Sequence, residues 1–188
     1  MCLIVTVNGS PREGSRTGVL LQVAAEAVCR NVDRARLEAI NLAANWAEIF
    51  AGLTRKTITK HGEDLVRLCE KADLLVVGSP VYRGTYTGLL KHFFDLVDRD
   101  AMIGKKAIIA ATGSPQHGLM PDHQLRPLMA FFDIQTVGTG LYGVENDFEN
   151  GRVHNKALSE RVERAAREAA ALLGGTREAE VAAAEASQ

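Results

Sequence analysis

Cysteine is scarce in this chain: three in 188 residues, Cys2, Cys29 and Cys69, with no CxxC pair. An odd number cannot all pair within one chain, and no cysteine cluster is there to hold a metal. The three read as small core or surface residues in a reducing compartment, which points to the cytoplasm. Long apolar runs are missing too. None approaches the ~20 residues that span a bilayer, and the opening Met1-Cys2-Leu3-Ile4-Val5 has no basic stretch of the kind that starts a signal peptide. Nor does one sign of charge dominate: 22 Lys and Arg stand against 23 Asp and Glu, a net charge of −1. That balance gives no electrostatic reason to expect nucleic acid or an anionic membrane as partner. There is no HxxxH pair and no carboxylate-rich loop, so no metal site is expected. His61, His92 and His154 read as surface or supporting residues.

What is present is ordinary for a globular protein, with 46% hydrophobic and 24% charged residues,. A chain of this length fits one domain that buries about 70% of its unfolded surface. Apolar runs at Leu3–Val7, Leu74–Val77 (within Asp73–Gly78) and Ala107–Ala111 (within Lys105–Thr112) predict buried strands. Weaker alternation predicts two more at Arg36–Leu42 and Thr136–Tyr142. Spacings of three and four predict helices over Thr17–Arg30, Glu63–Ala72, Leu89–Val97, Asp122–Phe132 and Ala157–Leu173. Residues 43–59 read as a long loop with a turn of helix. Strands alternating with helices imply an α/β fold, a five-stranded parallel sheet with helices on both faces. The domain is expected over residues 1–173. The Ala/Glu-rich stretch 174–188 has little to bury and reads as a frayed or disordered tail.

In an open sheet of this kind ligands sit beyond the carboxyl ends of the strands, and three loops there are informative. After the first strand, Gly9-Ser10-Pro11-Arg12-Glu13-Gly14-Ser15-Arg16-Thr17 is neither GxGxxG nor GxxxxGK[ST]. It therefore speaks against a dinucleotide Rossmann site and against a nucleotide triphosphatase. The hydroxyls of Ser10, Ser15 and Thr17, the guanidiniums of Arg12 and Arg16 and the amides of a helix start still make a phosphate site. The same residues also fit an ordinary Ser/Thr cap with solvated arginines. After the third strand, Pro80-Val81-Tyr82-Arg83-Gly84 offers amides and an apolar face to a flat ring, or a structural turn around a packed tyrosine. After the fourth, Thr112-Gly113-Ser114 makes a small loop suited to the other edge of such a ring, with backbone and Thr112 as donors.

Taken together, NGSPREGSRT, SPVYRGTYTGLLKHFFDLVD and AATGSPQHG…DHQLRPL resemble the flavodoxin-like NAD(P)H-dependent FMN reductases. The likeness extends in particular to the reductases of two-component alkanesulfonate and methanesulfonate monooxygenases, with the same motif order and a GVYG-like fifth strand. It covers about Leu3 to Leu173. The resemblance implies a flavodoxin-like fold with sheet order 2-1-3-4-5, FMN as cofactor and NADPH or NADH as co-substrate. It also implies reduced FMN supplied to a partner monooxygenase of sulfonate or sulfur assimilation type. Carried over to this chain, FMN phosphate would lie at Ser10, Arg12, Ser15, Arg16 and Thr17. The isoalloxazine would rest on Pro80, Val81, Tyr82 and Arg83, with Thr112, Gly113 and Ser114 on its far side. Hydride passes directly between the cofactors, so no catalytic acid or base is expected.

His123 falls where sulfonate-system reductases carry an extra helix residue, forming a π-bulge at a tetramer interface; the plain alternative is a surface histidine. Phe93, Phe94, Leu128, Phe131 and Phe132 look like more apolar surface than two helices need. This adds to the expectation of a homotetramer, a dimer of dimers with Leu89–Val97 and Asp122–Phe132 at its interfaces. Two other functions stay open: an FMN-retaining quinone, azo-dye or chromate reductase, and a flavodoxin-type electron carrier. Carriers are usually strongly acidic, which the net charge of −1 disfavours.

Overall fold

The computed structural model describes the backbone of residues 1–185 and side chains through 174. Its long strands are β1 (Cys2–Asn8), β2 (Ala35–Asn41), β3 (Leu74–Pro80) and β4 (Lys106–Thr112). They pair in parallel in the order β2-β1-β3-β4, and two short strands, β5 (Gln135–Thr136) and β6 (Leu141–Gly143), both lie along the outer side of β4. This is the doubly wound 2-1-3-4-5 arrangement of flavodoxin-like folds, with its order reversing between β1 and β3.

Residues of β3 alternate between two cores, as successive side chains on a strand must. Leu74 and Val76 face a core shared with Ile4, Leu20, Ala24 and Val162. That side is covered by α1 (Arg16–Asn31) and α6 (Lys156–Glu185). Leu75 and Val77 face Val66, Leu90, Phe93 and Met129. That side is covered by α3 (Lys60–Lys71), α4 (Gly88–Leu96) and α5 (Arg126–Phe131). Cys2 and Cys69 are buried and Cys29 half-buried, and burial pushes the Cys69 thiol up to about 12.

Several boundaries differ from the pattern in the sequence. Helices α3 and α4 start before the first apolar residue of their stripes. Thr59 and Thr87 cap them, accepting the N–H groups of Gly62 and Leu90, each at 3.1 Å,. The stretch expected as one helix over 122–132 is π-helical at Pro121–Leu125 and becomes α5 only from Arg126. The loop 43–59 contains a short helix, α2 (Trp46–Ile49), and a hairpin of β7 (Phe148–Glu149) and β8 (Arg152–Val153) was not foreseen. The expected tail at 174–188 falls on the last turns of α6 and on 186–188, which lie outside the described residues.

The fifth strand is interrupted between Val137 and Gly140 because side chains take the backbone groups that a ladder would use. Arg126 donates to the carbonyls of Val137 (2.9 Å) and Gly138 (3.3 Å), and Arg161 to that of Gly140 (2.6 Å). Glu168 accepts the Thr139 N–H at 2.8 Å and its hydroxyl at 2.5 Å. Burial alone would raise the Glu168 carboxyl, but these two bonds hold it below its ordinary value,.

The expected apolar excess is also corrected. Phe93, Phe94 and Phe132 are at most 2% exposed inside the chain's own core. Phe94 packs within 5.7 Å of both Phe93 and Phe132. Of the five, only Phe131 is largely exposed, at 64%.

Candidate functional site

At the carboxyl edge of the sheet the loops after β1, β3 and β4 enclose one cleft of about 540 Å³. The β1 loop contributes Ser10, Arg12, Ser15, Arg16 and Thr17 to its wall. Ser10 is anchored from both sides: its N–H donates to Asn8 Oδ1 at 3.0 Å, and its Oγ accepts the Arg12 N–H at 3.1 Å. Ser15 caps α1 by accepting the Gly18 N–H at 3.1 Å. The amides of Arg16 and Thr17, in the first turn, are the kind that a helix start leaves for an outside acceptor. Thr17 has a second task. Its Oγ1 lies 2.7 Å from Thr112 Oγ1, so the β1 and β4 loops are tied here. One hydroxyl of the pair donates to the other, leaving a single proton between them for any ligand.

The β3 loop brings Pro80, Val81 and Tyr82 to the cleft. The Val81 N–H is fixed on the Thr112 carbonyl at 2.8 Å, and Tyr82 N–H on that of Thr85 at 2.9 Å. Between them Arg83 (φ 54°) and Gly84 (φ 85°) form the two central residues of a tight turn, with both in the left-handed region as a type I′ turn requires. That geometry puts Arg83 at an exposed tip, and it does not line the cleft.

From the β4 loop, Thr112, Gly113 and Ser114 line the cleft. Gly113 has no room for a side chain: a Cβ there would lie 2.6 Å from Tyr142 Oη and 3.1 Å from Val81. Its N–H donates to the Gly143 carbonyl at 3.1 Å. The backbone donors expected from this loop are therefore already engaged at Gly113, which leaves Ser114 to donate. Tyr142 holds the loop from behind, its hydroxyl donating to the Ser114 carbonyl at 2.6 Å. Burial raises the Tyr142 phenol above its ordinary value, so it stays a donor,.

The cleft is thus polar and charged where α1 begins and more apolar where Pro80, Val81 and Tyr82 line it and Val81 packs against Gly113. A flat ring carrying a phosphate monoester fits that division. A model of one family, described as NADPH-dependent FMN reductase, matches residues 2–149. The chain belongs to this family. It is 42% identical over 162 residues to "NADH-dependent FMN reductase SfnF" of Pseudomonas putida, covering 86% of this chain and 87% of that one. It is 41% identical over 178 residues to "FMN reductase (NADPH)" of Pseudomonas aeruginosa, covering 93% and 94%. Among solved structures, an oxidoreductase of Corynebacterium diphtheriae superposes with a TM-score of 0.80 at 30% identity, covering 93% of this chain and 98% of that one.

In this member of the FMN reductase family, His123 lies in the π-helical turn and is exposed, away from the cleft. Its neighbour Gln124 accepts a hydrogen bond from Thr85 Oγ1 at 3.0 Å, so the π-turn touches the β3 hairpin. Glu13, Gly14, Pro115, Gly143 and Glu145 also line the cleft and were missed. Gly143 ends β6 and Glu145 follows it. The rule that ligands sit past carboxyl strand ends, applied to the fifth strand, points to that loop. Glu145 meets Arg16 in an ion pair of 2.9 Å.

Proposed function

We propose that the chain is an NAD(P)H:FMN oxidoreductase that takes electrons from NADH or NADPH. It releases reduced FMN to a flavin-dependent monooxygenase of the sulfonate or sulfur-assimilation type. The observation that carries this reading is the convergence of three loops on one cleft, charged at the α1 end and apolar at the β3 and β4 end. The family and the likeness to the reductase named SfnF support it.

FMN, when bound, supplies the hydride-accepting chemistry. What the chain's residues do is bind and orient. Ser10, Arg12, Ser15, Arg16 and the first amides of α1 receive the phosphate. Val81, Tyr82 and Gly113 shape a flat slot, and Ser114 and the Thr17–Thr112 pair offer donors at its edge. No side-chain acid or base takes part, since the acceleration comes from holding two rings in register.

The deciding experiment is steady-state oxidation of NADH and NADPH with free FMN at catalytic concentration and no protein partner. Turnover with released FMN is expected. Colourless protein supports release. Yellow protein that keeps its flavin through gel filtration points instead to the FMN-retaining quinone, azo-dye or chromate reductase. Binding of FMN without turnover of either nicotinamide would leave the electron carrier.

A homotetramer in the cytoplasm belongs to the same proposal, with α4 and the segment 121–132 at its interfaces. Phe131 in that segment, and Leu119, 63% exposed just before it, support a contact there,. Because Gln124 bonds Thr85, assembly at the π-turn would bear on the ring side of the cleft. Among the described residues no helix is long and apolar enough to cross a membrane. Sedimentation at micromolar concentration, with and without FMN, tests the assembly; a monomer in both would refute it.

A further inference from the structure

The side chains at the α1 end of the cleft include two of each sign, Arg12 and Arg16 against Glu13 and Glu145. Their formal charges cancel, although the proposed ligand is a dianion there. Glu145 stands closest to the matter, with its Oε1 2.9 Å from Arg16 Nη1. Its backbone is well fixed. It opens a 3-10 turn, Glu145–Asp147. The buried Asp147 accepts the Val144 N–H and an Asn155 side-chain N–H, both at 2.7 Å. The Asp147 carbonyl accepts the His154 N–H at 2.8 Å. The Glu145 side chain, by contrast, is 84% exposed and Arg16 48%. A pair so exposed adds little to the stability of a fold. It does engage one side of the Arg16 guanidinium and sets a carboxylate beside the place a phosphate would take,. Arg16 and Glu145 also border a second hollow of about 270 Å³ beside Phe148 and Gly151, so the carboxylate has a place to turn when it lets go.

Given the FMN reading of the cleft, on which this rests, we propose that Glu145 sets how tightly the flavin phosphate is held. Its carboxylate pairs with Arg16 before the ligand arrives and competes with the phosphate for that guanidinium. It then remains nearby as a like charge. One charge-assisted pair is exchanged for another, so the net gain from Arg16 is small and the ligand leaves quickly. That suits a reductase whose product is consumed elsewhere. The ring end of the cleft is untouched by this competition.

The test is Glu145→Gln, which keeps the shape and removes the charge. Glu149→Gln serves as control, because Glu149 is exposed on the neighbouring hairpin, does not line the cleft and faces His154 at 3.7 Å. Binding of FMN and of riboflavin, which lacks the phosphate, is measured by fluorescence titration, and FMN release by stopped flow. The expected result for E145Q is an FMN affinity higher by roughly three- to tenfold, release slowed by a similar factor, and riboflavin unchanged. E149Q should match the parent. FMN affinity equal to or below the parent's in E145Q, or riboflavin gaining as much as FMN, overturns the proposal. Ser10→Ala separates the two levels of the argument. If S10A weakens FMN but not riboflavin, the site reading stands and any failure of E145Q falls on this inference alone. If S10A leaves FMN unchanged, both are overturned.

Discussion

At the α1 end of the cleft the wall is made of side chains from two loops: Ser10, Arg12, Ser15 and Arg16 between β1 and the first turn of α1, and Glu145 after β6. At the β3 and β4 end the wall is backbone held by backbone: Val81 N–H on the Thr112 carbonyl at 2.8 Å, and Gly113 N–H on that of Gly143 at 3.1 Å. The first end can change its charge without moving the sheet. The second is shaped by strand register and by the absence of a Cβ at Gly113, so a substitution there must displace something. One end should therefore govern how strongly a phosphate is felt, the other whether a ring fits at all.

Gly113→Val tests the second half of that contrast and should have the largest effect. Its Cβ would stand 2.6 Å from Tyr142 Oη, forcing the phenol off the Ser114 carbonyl. Overpacking of this kind costs up to about 3 kcal/mol of fold stability, and the displaced slot wall should all but abolish ring binding. FMN and riboflavin should weaken together in fluorescence titrations; a loss confined to FMN would break the distinction. Next in size is Ser10→Ala with Arg16→Ala. Two partners of the phosphate are removed, but Arg16 is already shared with Glu145, so the expected loss is about 2 kcal/mol, near thirtyfold, for FMN alone. An equal loss of riboflavin would show that the β1 loop shapes the ring slot as well.

The same contrast explains what could be read from the sequence. Leu74–Val77 and Ala107–Ala111 are legible as strands because both faces of the sheet are covered, and the Gly/Ser/Pro loops after them announce the cleft. The gap between β5 and β6 is not legible, since Arg126, Arg161 and Glu168 reach it from other elements. The starts of α3 and α4 were signalled by Thr59 and Thr87, which apolar periodicity alone passes over. Arg83 stands at the exposed tip of the hairpin after β3 because it and Gly84 are the central pair of a tight turn, a placement the Arg-Gly pair signals,. Phe93, Phe94 and Phe132 looked surplus only because α3, the helix α2 and the segment around Met102 were not counted on that face.

Thr87→Ala would blur the contrast, because one hydroxyl serves both ends. Thr87 Oγ1 donates to the Gly9 carbonyl at 2.6 Å, next to Ser10, and accepts the Leu90 N–H as cap of α4. The Thr87 N–H donates to Ser79 Oγ at 3.0 Å. Loss of a cap with a buried bond costs about 1–2 kcal/mol, a fall of roughly 3–6 °C in melting temperature for a domain this size. Affinities for FMN and riboflavin should fall together, by only a few-fold. A melting temperature unchanged in Thr87→Ala would mean that the two loops are positioned independently.

The smallest effect is expected from a cluster outside the cleft, and it sharpens the contrast by being a charge network away from α1. Arg55, on the loop between α2 and α3, donates to Glu63 Oε2 at 2.8 Å and to Glu70 Oε2 at 2.9 Å. Arg67 adds a bond to Glu63 at 2.6 Å. The Arg55 hydrogen bond, outweighing burial, and then Arg67 lower the Glu63 carboxyl from 4.5 to about 2. A carboxyl depressed on folding contributes stability that is fully present above its unfolded value and is lost as pH falls through the folded one. The difference in stability between the parent and Glu63→Gln should therefore be constant above about pH 5 and close progressively between 4.5 and 2,. Its size at neutral pH should stay below about 1 kcal/mol, because these side chains are partly solvated. Urea titrations across that pH range measure it, with hydrogen exchange of residues 46–58 reporting the loop itself. FMN and riboflavin affinities at neutral pH should be the same in both proteins. A Glu63→Gln variant that bound FMN more weakly would mean that the α2–α3 loop supports the cleft, and that charge far from α1 also counts in how the phosphate is held.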